Sequence, residues 1–336
     1  MSPKTFLESE MIPSQLPLVC AYVITYDGKR FLERCFQTLQ HLTDYGNRRL
    51  ILVDNGSSDG SGDYVRESFP DVEVLRIFPN AGYAHAANEA IKHARLQGAK
   101  YVAILNDDIV ILHSQWLREA VHHAERDSSM GIITFVEATS DDGQYGLPQP
   151  SLTDVDYLNG FAVLIPLEVF DRIGMFDEGY FAYSEEDDLG ARAQAAGYRL
   201  VRLGIPIYHL GGGTNQSYKM QSAYLQMRNG IRFCLKNRSL MHALLRAVRI
   251  IDVACNPWPV TFDNRDAAHR RMRNSGNVVV NLLLWLRAVS WNIVRIPQTI
   301  RIRAAERRLI RAARATRKNS AVASQPPVNA YMGDRT

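Results

Sequence analysis

Acidic and amide side chains stand together at two places in the sequence. Asn106-Asp107-Asp108 follows an apolar run, and Glu185-Glu186-Asp187-Asp188 places four acids in succession. Carboxylate and amide oxygens are hard ligands that suit Mg²⁺ or Mn²⁺. A cation at residues 106–108 would bridge a diphosphate and neutralise the charge that develops as it leaves. The four acids suit a helix N-terminus, but capping does not require so many.

The first 235 residues alternate short apolar runs with helical patterns. We predict strands over residues 18–25, 50–53, 72–77 and 101–105, and helices over residues 30–42 and 84–97. Strands that alternate with helices indicate an α/β fold with a mostly parallel sheet and with ligands at the carboxyl ends of its strands. Asp54, Asn80 and residues 106–108 should therefore converge at one edge.

Turn formation is the simpler explanation for each of these Asp and Asn residues alone, since both cap helices and form turns. Turns and caps do not require acidic pairs after successive core strands, so the set together favours a ligand site. The sequence contains neither a GxGxxG fingerprint nor a GxxxxGK[ST] loop. A dehydrogenase and a P-loop NTPase are disfavoured.

Charge divides the chain into two unlike parts. Residues 1–235 carry 20 Lys and Arg against 30 Asp and Glu, whereas residues 236–318 carry 18 against 4. We predict an N-terminal arm at 1–16, a catalytic domain at 17–235, a basic amphipathic helical region at 236–318 and a disordered tail at 319–336.

The four scattered cysteines and the absence of an apolar core near Glu8 and Glu10 favour a reducing, cytoplasmic compartment.

Four motifs, in order, resemble glycosyltransferase family 2, the inverting enzymes of GT-A fold, and in particular its rhamnosyltransferase-like bacterial members. The motifs are VITYD at 23–27 with LILVDNGSSDGS at 50–61, NAGYAHAAN at 80–88, LNDD at 105–108, and the stretch from Asn159-Gly160 through GMFDE at 174–178 to FAYSEEDDLGAR at 181–192. The resemblance covers residues 18 to about 212. It implies a GT-A fold with a C-terminal basic helical appendage.

The resemblance also implies a nucleotide site. An ionised carboxylate such as Asp54 only accepts hydrogen bonds, which suits the ring N–H of uracil or thymine, so the donor would be a UDP- or dTDP-sugar. The nucleotide pocket, the base contact and the ribose and diphosphate side would be formed by Thr25, Tyr26, Asp27, Asp54, Asn80, Gly82 and Asn88, with Asn106 and Asp107 near the sugar.

The expected metal motif departs from the family pattern, because Asn106 stands where the family has its first Asp. Family position makes Asp108 the direct ligand of Mg²⁺ or Mn²⁺, with Asp107 as a neighbouring contact. His209 follows an apolar strand and precedes three glycines, where some members place a second metal ligand. A packed or capping histidine is an equally good interpretation of that position.

A carboxylate must take the proton of the acceptor hydroxyl. Aligned on Asp188, Leu189 and Arg192, the family's base position holds Glu186 here, one methylene longer than the usual Asp. Glu186 is our prediction for the base, with Asp188, Asp187 and Glu185 as competitors. The implied reaction is a single displacement with inversion at the anomeric carbon.

The basic region predicts helices over residues 240–253 and 278–310, the second kinked or broken at Pro297. Its charge-free apolar stretch ends at Arg287, too early for a spanning helix. Tryptophans beside leucines and arginines favour peripheral contact with an anionic membrane, at the inner face of the cell membrane. Packing on the catalytic domain or in a homo-oligomer is the alternative, and no nucleic-acid motif accompanies the charge.

A membrane-facing region would suit a glycan or lipid-linked glycan acceptor, as in the synthesis of a bacterial surface polysaccharide, with rhamnose or another hexose as the transferred sugar. Two rivals remain. One is a noncatalytic sugar-nucleotide or glycan-binding scaffold on the same fold, which the presence of both acidic clusters opposes. The other is a nucleotidyltransferase, which lacks a Gly-rich basic loop for a triphosphate in this sequence.

Overall fold

The computed structural model describes residues 16–141, 150–211, 219–255 and 277–323. Most of the predicted N-terminal arm and of the predicted tail lies outside these residues. The strands are β1 Val19–Thr25, β2 Arg48–Asp54, β3 Glu73–Arg76, β4 Tyr101–Asn106, β5 Ile109–Ile111, β6 Met130–Ala138, β7 Leu152–Asp154, β8 Ala162–Pro166 and β9 Arg199–His209. The helices are α1 Lys29–His41, α2 Ser61–Ser68, α3 Tyr83–Leu96, α4 Trp116–Arg126, α5 Leu167–Ile173, α6 Glu185–Ala195, α7 Lys219–Asn237, α8 Leu240–Cys255 and α9 Val278–Ala323.

One mixed sheet organises the described chain, in the order β3-β2-β1-β4-β8-β6-β9-β5, with β7 paired to β9. The first four strands are parallel, as the alternation of strands and helices predicts. The second half contributes the antiparallel pairs β4–β8, β6–β8, β5–β9 and β7–β9. The predicted α/β fold is therefore confirmed, and antiparallel strands extend its parallel half.

Strand β1 lies at the centre of two apolar layers. Its alternate residues Val19, Ala21 and Val23 pack with α1 and α4, while Cys20 and Tyr22 face the layer that contains α3, α5 and α6. Successive side chains of a strand point to opposite faces, so a strand buried on both sides must be apolar throughout. All seven residues of β1 are buried.

Helices α7, α8 and α9 form a third apolar cluster, whose centre includes Tyr224, Met227 and Ile250. The predicted boundary between residues 235 and 236 falls inside α7, and the division into domains stays a prediction. Helix α9 continues through Pro297, so a break there is wrong. Pro297 lies on the exposed side, while hydrogen bonds from Asn292 to Arg228 O and from Arg232 to Thr299 hold α9 against α7.

A buried ion network joins these helices to the α/β layers. Asp188 is 0% exposed, and its carboxylate lies 2.9 Å from Arg192 Nε and 2.8 Å from Lys236 Nζ. Lys236 Nζ also lies 3.0 Å from Asp177 and 2.7 Å from Glu306. The network thus joins α6, the segment before it, α7 and α9.

Removal of the Lys236 ammonium should destabilise the fold. In Lys236→Met the carboxylates of Asp177, Asp188 and Glu306 lose their shared partner, and breaking a buried ion pair costs roughly 3–5 kcal/mol. Lys92→Met is the matched control, because Lys92 pairs with Glu89 on the surface; we expect at most about 1 kcal/mol there. Urea unfolding of both variants measures the difference, and equal losses would show that the network does not hold the helices.

Candidate functional site

The carboxyl ends of the central strands bring the predicted side chains to one edge of the sheet. In the parallel register Thr25 of β1 lies beside Asp54 of β2, and Ile24 lies beside Asn106 of β4. Parallel strands share the direction in which they end, which explains the convergence. The edge is the location that the polar clusters of the sequence predict.

Two aspartates organise the loop after β2. Asp54 Oδ1 accepts from Ser57 N at 2.9 Å, and Asp27 Oδ1 accepts from Ser58 N at 2.7 Å. Asp54 is buried, while Tyr26 at the same edge is 41% exposed. Asp54 therefore already holds the loop in the free protein, and its contact with a nucleotide base stays a prediction.

Asn80 and Asn88 both make hydrogen bonds within the protein. Asn80 Oδ1 accepts from Gly82 N at 2.9 Å and from Asn55 Nδ2 at 3.2 Å. Asn88 lies deeper, and its amide bonds the backbone of Phe176 in both directions, at 3.0 and 2.9 Å. Asn88 thus fixes the chain that leads towards α6, and its expected contact with ribose or diphosphate is a prediction that this geometry does not test.

Asp107 is held by Thr25 and lies against Gly28. Thr25 Oγ1 donates to Asp107 Oδ2 at 2.6 Å. Burial, and secondarily the neighbouring Asp108, raises the pKa of Asp107 to about 7, although the Thr25 hydrogen bond opposes this. A Cβ atom on Gly28 would lie 1.9 Å from Asp107 Oδ2. Only glycine at this position lets the chain pass so close to the carboxylate.

Asp108 and His209 meet because β5 pairs with β9 and places Ile109 opposite His209. His209 Nε2 lies 3.2 Å from Asp108 Oδ1, and its Nδ1 lies 3.0 Å from Glu137 Oε1. Burial alone would lower the pKa of His209, but Asp108 and Glu137 outweigh burial and raise it. Phe161 stacks on the imidazole, with ring centroids 5.1 Å apart.

These donors fit a divalent cation that shares its coordination with a diphosphate. Asp108 offers an oxygen and His209 a nitrogen, and Asn106 Nδ2 lies 3.3 Å from the same imidazole nitrogen. No group of three or more His, Cys, Asp and Glu residues suited to a metal ion occurs in the described parts of the chain. The protein would therefore supply part of the coordination, and the diphosphate oxygens the rest.

Glu185 and Glu186 line a cavity of about 520 Å³ together with Asn106, Glu137 and His209. We call this the catalytic cavity. Both glutamates are buried, and a Cβ atom on Gly160 would lie 3.1 Å from Glu186 Cγ. The cavity thus brings the predicted base together with His209, one of the two predicted metal ligands, while Asp108 contacts His209 without lining the cavity.

Asp188 lies on another face of α6 and does not line the catalytic cavity. Its carboxylate accepts from Arg192, Lys236, Asn237 and, at 3.3 Å, Tyr180. Burial alone would raise the pKa of Asp188, but Arg192 and Lys236 outweigh burial and hold it below its usual range. A carboxylate with these partners does not take up a proton near neutral pH, so we propose a positioning role for Asp188.

The segment before α6 has a strained backbone. Phe181, Tyr183 and Ser184 have φ angles of 66°, 71° and 68°, which residues other than glycine rarely adopt. The buried amide Nδ2 of Asn229 donates to Tyr180 O at 3.0 Å, to Ala182 O at 2.7 Å and to Tyr183 O at 2.6 Å. These bonds from α7 hold the conformation that presents Glu185 and Glu186.

The residues of α7 and β6 that support the site were not predicted from the sequence. Arg228, Arg232 and Lys236 recur every four residues and therefore share one face of a helix. That basic helix face could have been predicted to pair with the acidic run at 185–188. Glu137 has no such signal, because only the pairing of β6 with β9 brings it to His209.

The sequence model of glycosyl transferase family 2 matches residues 20–188, half of the chain, and spans the strand-end clusters and the start of α6. The chain belongs to this family. The N-acetylglucosaminyl-diphospho-decaprenol L-rhamnosyltransferase of Mycobacterium tuberculosis is similar to it, with 26% identity over 226 residues, 55% of this chain and 72% of that protein. Rhamnosyltransferase WbbL of Escherichia coli is 23% identical over 192 residues, 47% of this chain and 72% of WbbL.

Among solved structures, the mannosyltransferase PcManGT of Pyrobaculum calidifontis, determined with GDP-Man and Mn²⁺, has the same fold. Its TM-score is 0.52 at 16% identity, over 96% of this chain and 84% of that one. The predicted GT-A fold and the rhamnosyltransferase-like bacterial membership in glycosyl transferase family 2 are confirmed. The protein is a glycosyltransferase.

Gly28→Ala tests the close approach at Asp107. The added methyl group must displace Asp107 and Thr25, and we expect a loss of turnover on the order of 10²-fold, since misplacement by about 1 Å can cost that much. Gly46→Ala is the control, because no atom lies within 4 Å of a Cβ atom there. Donor turnover and nucleotide affinity of both variants are the measurements. Unchanged turnover in Gly28→Ala would show that the close packing of Gly28 against Asp107 is not needed for the reaction.

Proposed function

We propose that the protein is an inverting, metal-dependent transferase that moves rhamnose or another hexose from a UDP- or dTDP-sugar to a hydroxyl of a glycan or lipid-linked glycan. The proposal rests on one observation. Glu186 lines the same cavity as Asn106 and His209, so a candidate base and the candidate leaving-group site share one space. The named relatives, which are rhamnosyltransferases, support the choice of sugar and a role in cell-surface polysaccharide synthesis.

The proposed reaction is a single displacement. The acceptor oxygen forms a bond to the anomeric carbon, the bond from that carbon to the diphosphate oxygen breaks, and the acceptor proton passes to the Glu186 carboxylate. The nucleoside diphosphate leaves with the electron pair. A cation such as Mg²⁺ or Mn²⁺, held by Asp108 and His209, would neutralise charge on the departing diphosphate.

Glu186 is the better candidate for the base on two grounds. Its carboxyl group borders the catalytic cavity, and the Asp188 carboxylate is occupied by two cations. Glu185 also lines the cavity, so it remains the nearest competitor. Gly160 leaves the space that the longer side chain of Glu186 needs, which explains how Glu can stand where the family has Asp.

The test is release of nucleoside diphosphate from a panel of UDP-, dTDP- and GDP-sugars with Mg²⁺ or Mn²⁺. We expect metal-dependent turnover of one donor that falls about 10²–10⁴-fold in Glu186→Gln, the usual worth of general-base assistance. Glu185→Gln is the matched control and should retain most of the activity. Asp108→Ala should abolish the metal dependence along with turnover.

The outcomes of this test separate the alternatives. If Glu185→Gln is the inactive variant, the assignment of Glu186 as the base is wrong, but the proposed transferase activity still holds. Nucleotide binding without turnover, even after candidate acceptors are added, would favour the sugar-nucleotide-binding scaffold. Turnover without metal would contradict the proposal that Asp108 and His209 hold a catalytic cation.

We further propose that α8 and α9 contact the membrane from its cytoplasmic side. By length and composition Val278–Thr316 is long and apolar enough to cross a membrane, which differs from the sequence-based expectation. Only 17% of its most apolar stretch is buried, so it is not a core helix. Hydrogen bonds between α9 and α7 at Asn292, Thr299 and Arg303 favour a helix that lies against the catalytic domain.

The exposed apolar face of α8 is the strongest support for membrane contact. Leu240, Leu244 and Val248 are 53–62% exposed and recur every four residues, so they share one face. Met241 and Leu245 widen it. An apolar face beside many arginines is typical of a helix in the interface of an anionic membrane. A homo-oligomer that covers this face is the alternative.

Substitution of this face should release the protein from membranes. In the double variant Leu240→Gln with Leu244→Gln, we expect binding to vesicles of phosphatidylglycerol and phosphatidylcholine to fall at least about tenfold, since each leucine contributes about 1.5–3 kcal/mol when buried. Leu42→Gln with Leu96→Gln is the control, because both leucines are exposed on the α/β layers. Equal binding of the two variants, with a change in oligomer mass only in the first, would show that a second copy covers the face.

A further inference from the structure

A second cavity, of about 430 Å³, opens between α6, the end of α7 and the second half of α9. Its α6 residues Ala191 and Gln194 lie on a different face of the helix from Glu185 and Glu186, so it is separate from the catalytic cavity. We call it the basic cavity. Six arginines line it: Arg192, which pairs with Asp188, and Arg238, Arg303, Arg307, Arg311 and Arg314.

The one acidic side chain of this lining pairs with only one of its arginines. Glu306 lies 2.7 Å from Lys236 Nζ and 3.5 Å from Arg192 Nε, and both cations also contact Asp188. Glu306 thus belongs to the buried network. The other five arginines have no acidic partner in the lining.

Five of the six arginines have no carboxylate within 4.0 Å in the parts of the chain that the structure describes: Arg238, Arg303, Arg307, Arg311 and Arg314. Positions 303, 307, 311 and 314 share one face of α9 because they recur at helical spacing. Like charges collected around a concave surface produce a positive potential that attracts an anion. Their common face thus points to a ligand.

Arg303 is held in place by the end of α7. Its guanidinium donates to Leu235 O at 2.9 Å and to Arg238 O at 2.6 Å. These carbonyl oxygens orient the side chain without neutralising its charge. Arg303 therefore adds a fixed positive charge to the lining of the cavity.

We propose that the basic cavity binds a phosphate group carried by a phosphate ester. Guanidinium groups match phosphate oxygens in geometry and charge, and several around one cavity can bind a single phosphate from different sides. Arg238 lies two residues before Leu240, where the exposed apolar face of α8 begins. A phosphate that is attached to a hydrocarbon chain would therefore find an apolar surface beside the cavity.

The test compares two triple variants that lose the same charge. The first is Arg307→Gln, Arg311→Gln and Arg314→Gln in the cavity. The second is Arg249→Gln, Arg301→Gln and Arg308→Gln, which are exposed on α8 and α9 and do not line it. One arm measures binding to phosphatidylglycerol vesicles against phosphatidylcholine vesicles, and the other measures binding of soluble glycerol phosphate and inorganic phosphate by calorimetry.

We expect the cavity variant to bind phosphate at least about tenfold more weakly than the control variant, since it loses charge-assisted hydrogen bonds rather than charge alone. A loss confined to phosphatidylglycerol vesicles identifies a lipid phosphate, and a loss with soluble glycerol phosphate identifies a soluble ester. Equal affinities of the two triple variants in both arms would overturn the proposal. Circular dichroism should show the wild-type helix content in both, because all six substituted arginines are exposed.

Discussion

The Asp188 carboxylate is the constraint on which the site depends. Taking a carboxylate fully out of water is costly unless its partners replace the lost hydration, and Asp188 gains two cations, an amide and a phenol. Those partners come from α6, α7 and the turn before α6. Because one buried charge must satisfy all of them, the position of α6 is fixed relative to α7. The first turn of α6, with Glu185 and Glu186, is fixed with it.

This constraint gives the uneven charge of the chain a physical meaning. The basic region begins at Lys236, whose ammonium neutralises carboxylates of the acidic region at Asp177 and Asp188. Part of the positive charge therefore forms ion pairs inside the molecule, and these ion pairs hold the helix that carries Glu185 and Glu186. The arginines further along α9 have no such internal partner among the described residues and remain available to an external anion.

The sequence predicts those features that local pattern determines. Apolar runs and helical spacing place β1, β2, β4, α1 and α3 within a few residues, and the strand-end clusters converge at one edge of the sheet as predicted. The antiparallel half of the sheet was not predictable in this way, because β5 and β7 have three residues each and pair with a strand far along the chain. Asn229 was missed for a similar reason. In sequence, a polar residue on a helix does not show whether it faces water or a strained backbone.

The strained segment explains why a transferase of this kind would retain helices beyond its nucleotide fold. Three positive φ angles in four residues are unfavourable without support, and the support comes from Asn229 and Arg228 of α7, which donate to the carbonyl oxygens of residues 179, 180, 182 and 183. Helix α7 is itself held by α9 through Thr299 and Arg303. The catalytic cavity and the basic cavity thus lie on two faces of α6, and Arg192 and Lys236, which line the basic cavity, hold the Asp188 carboxylate of that helix. Any ligand that draws Lys236 or Arg192 away from Asp188 would act directly on the turn that presents Glu186.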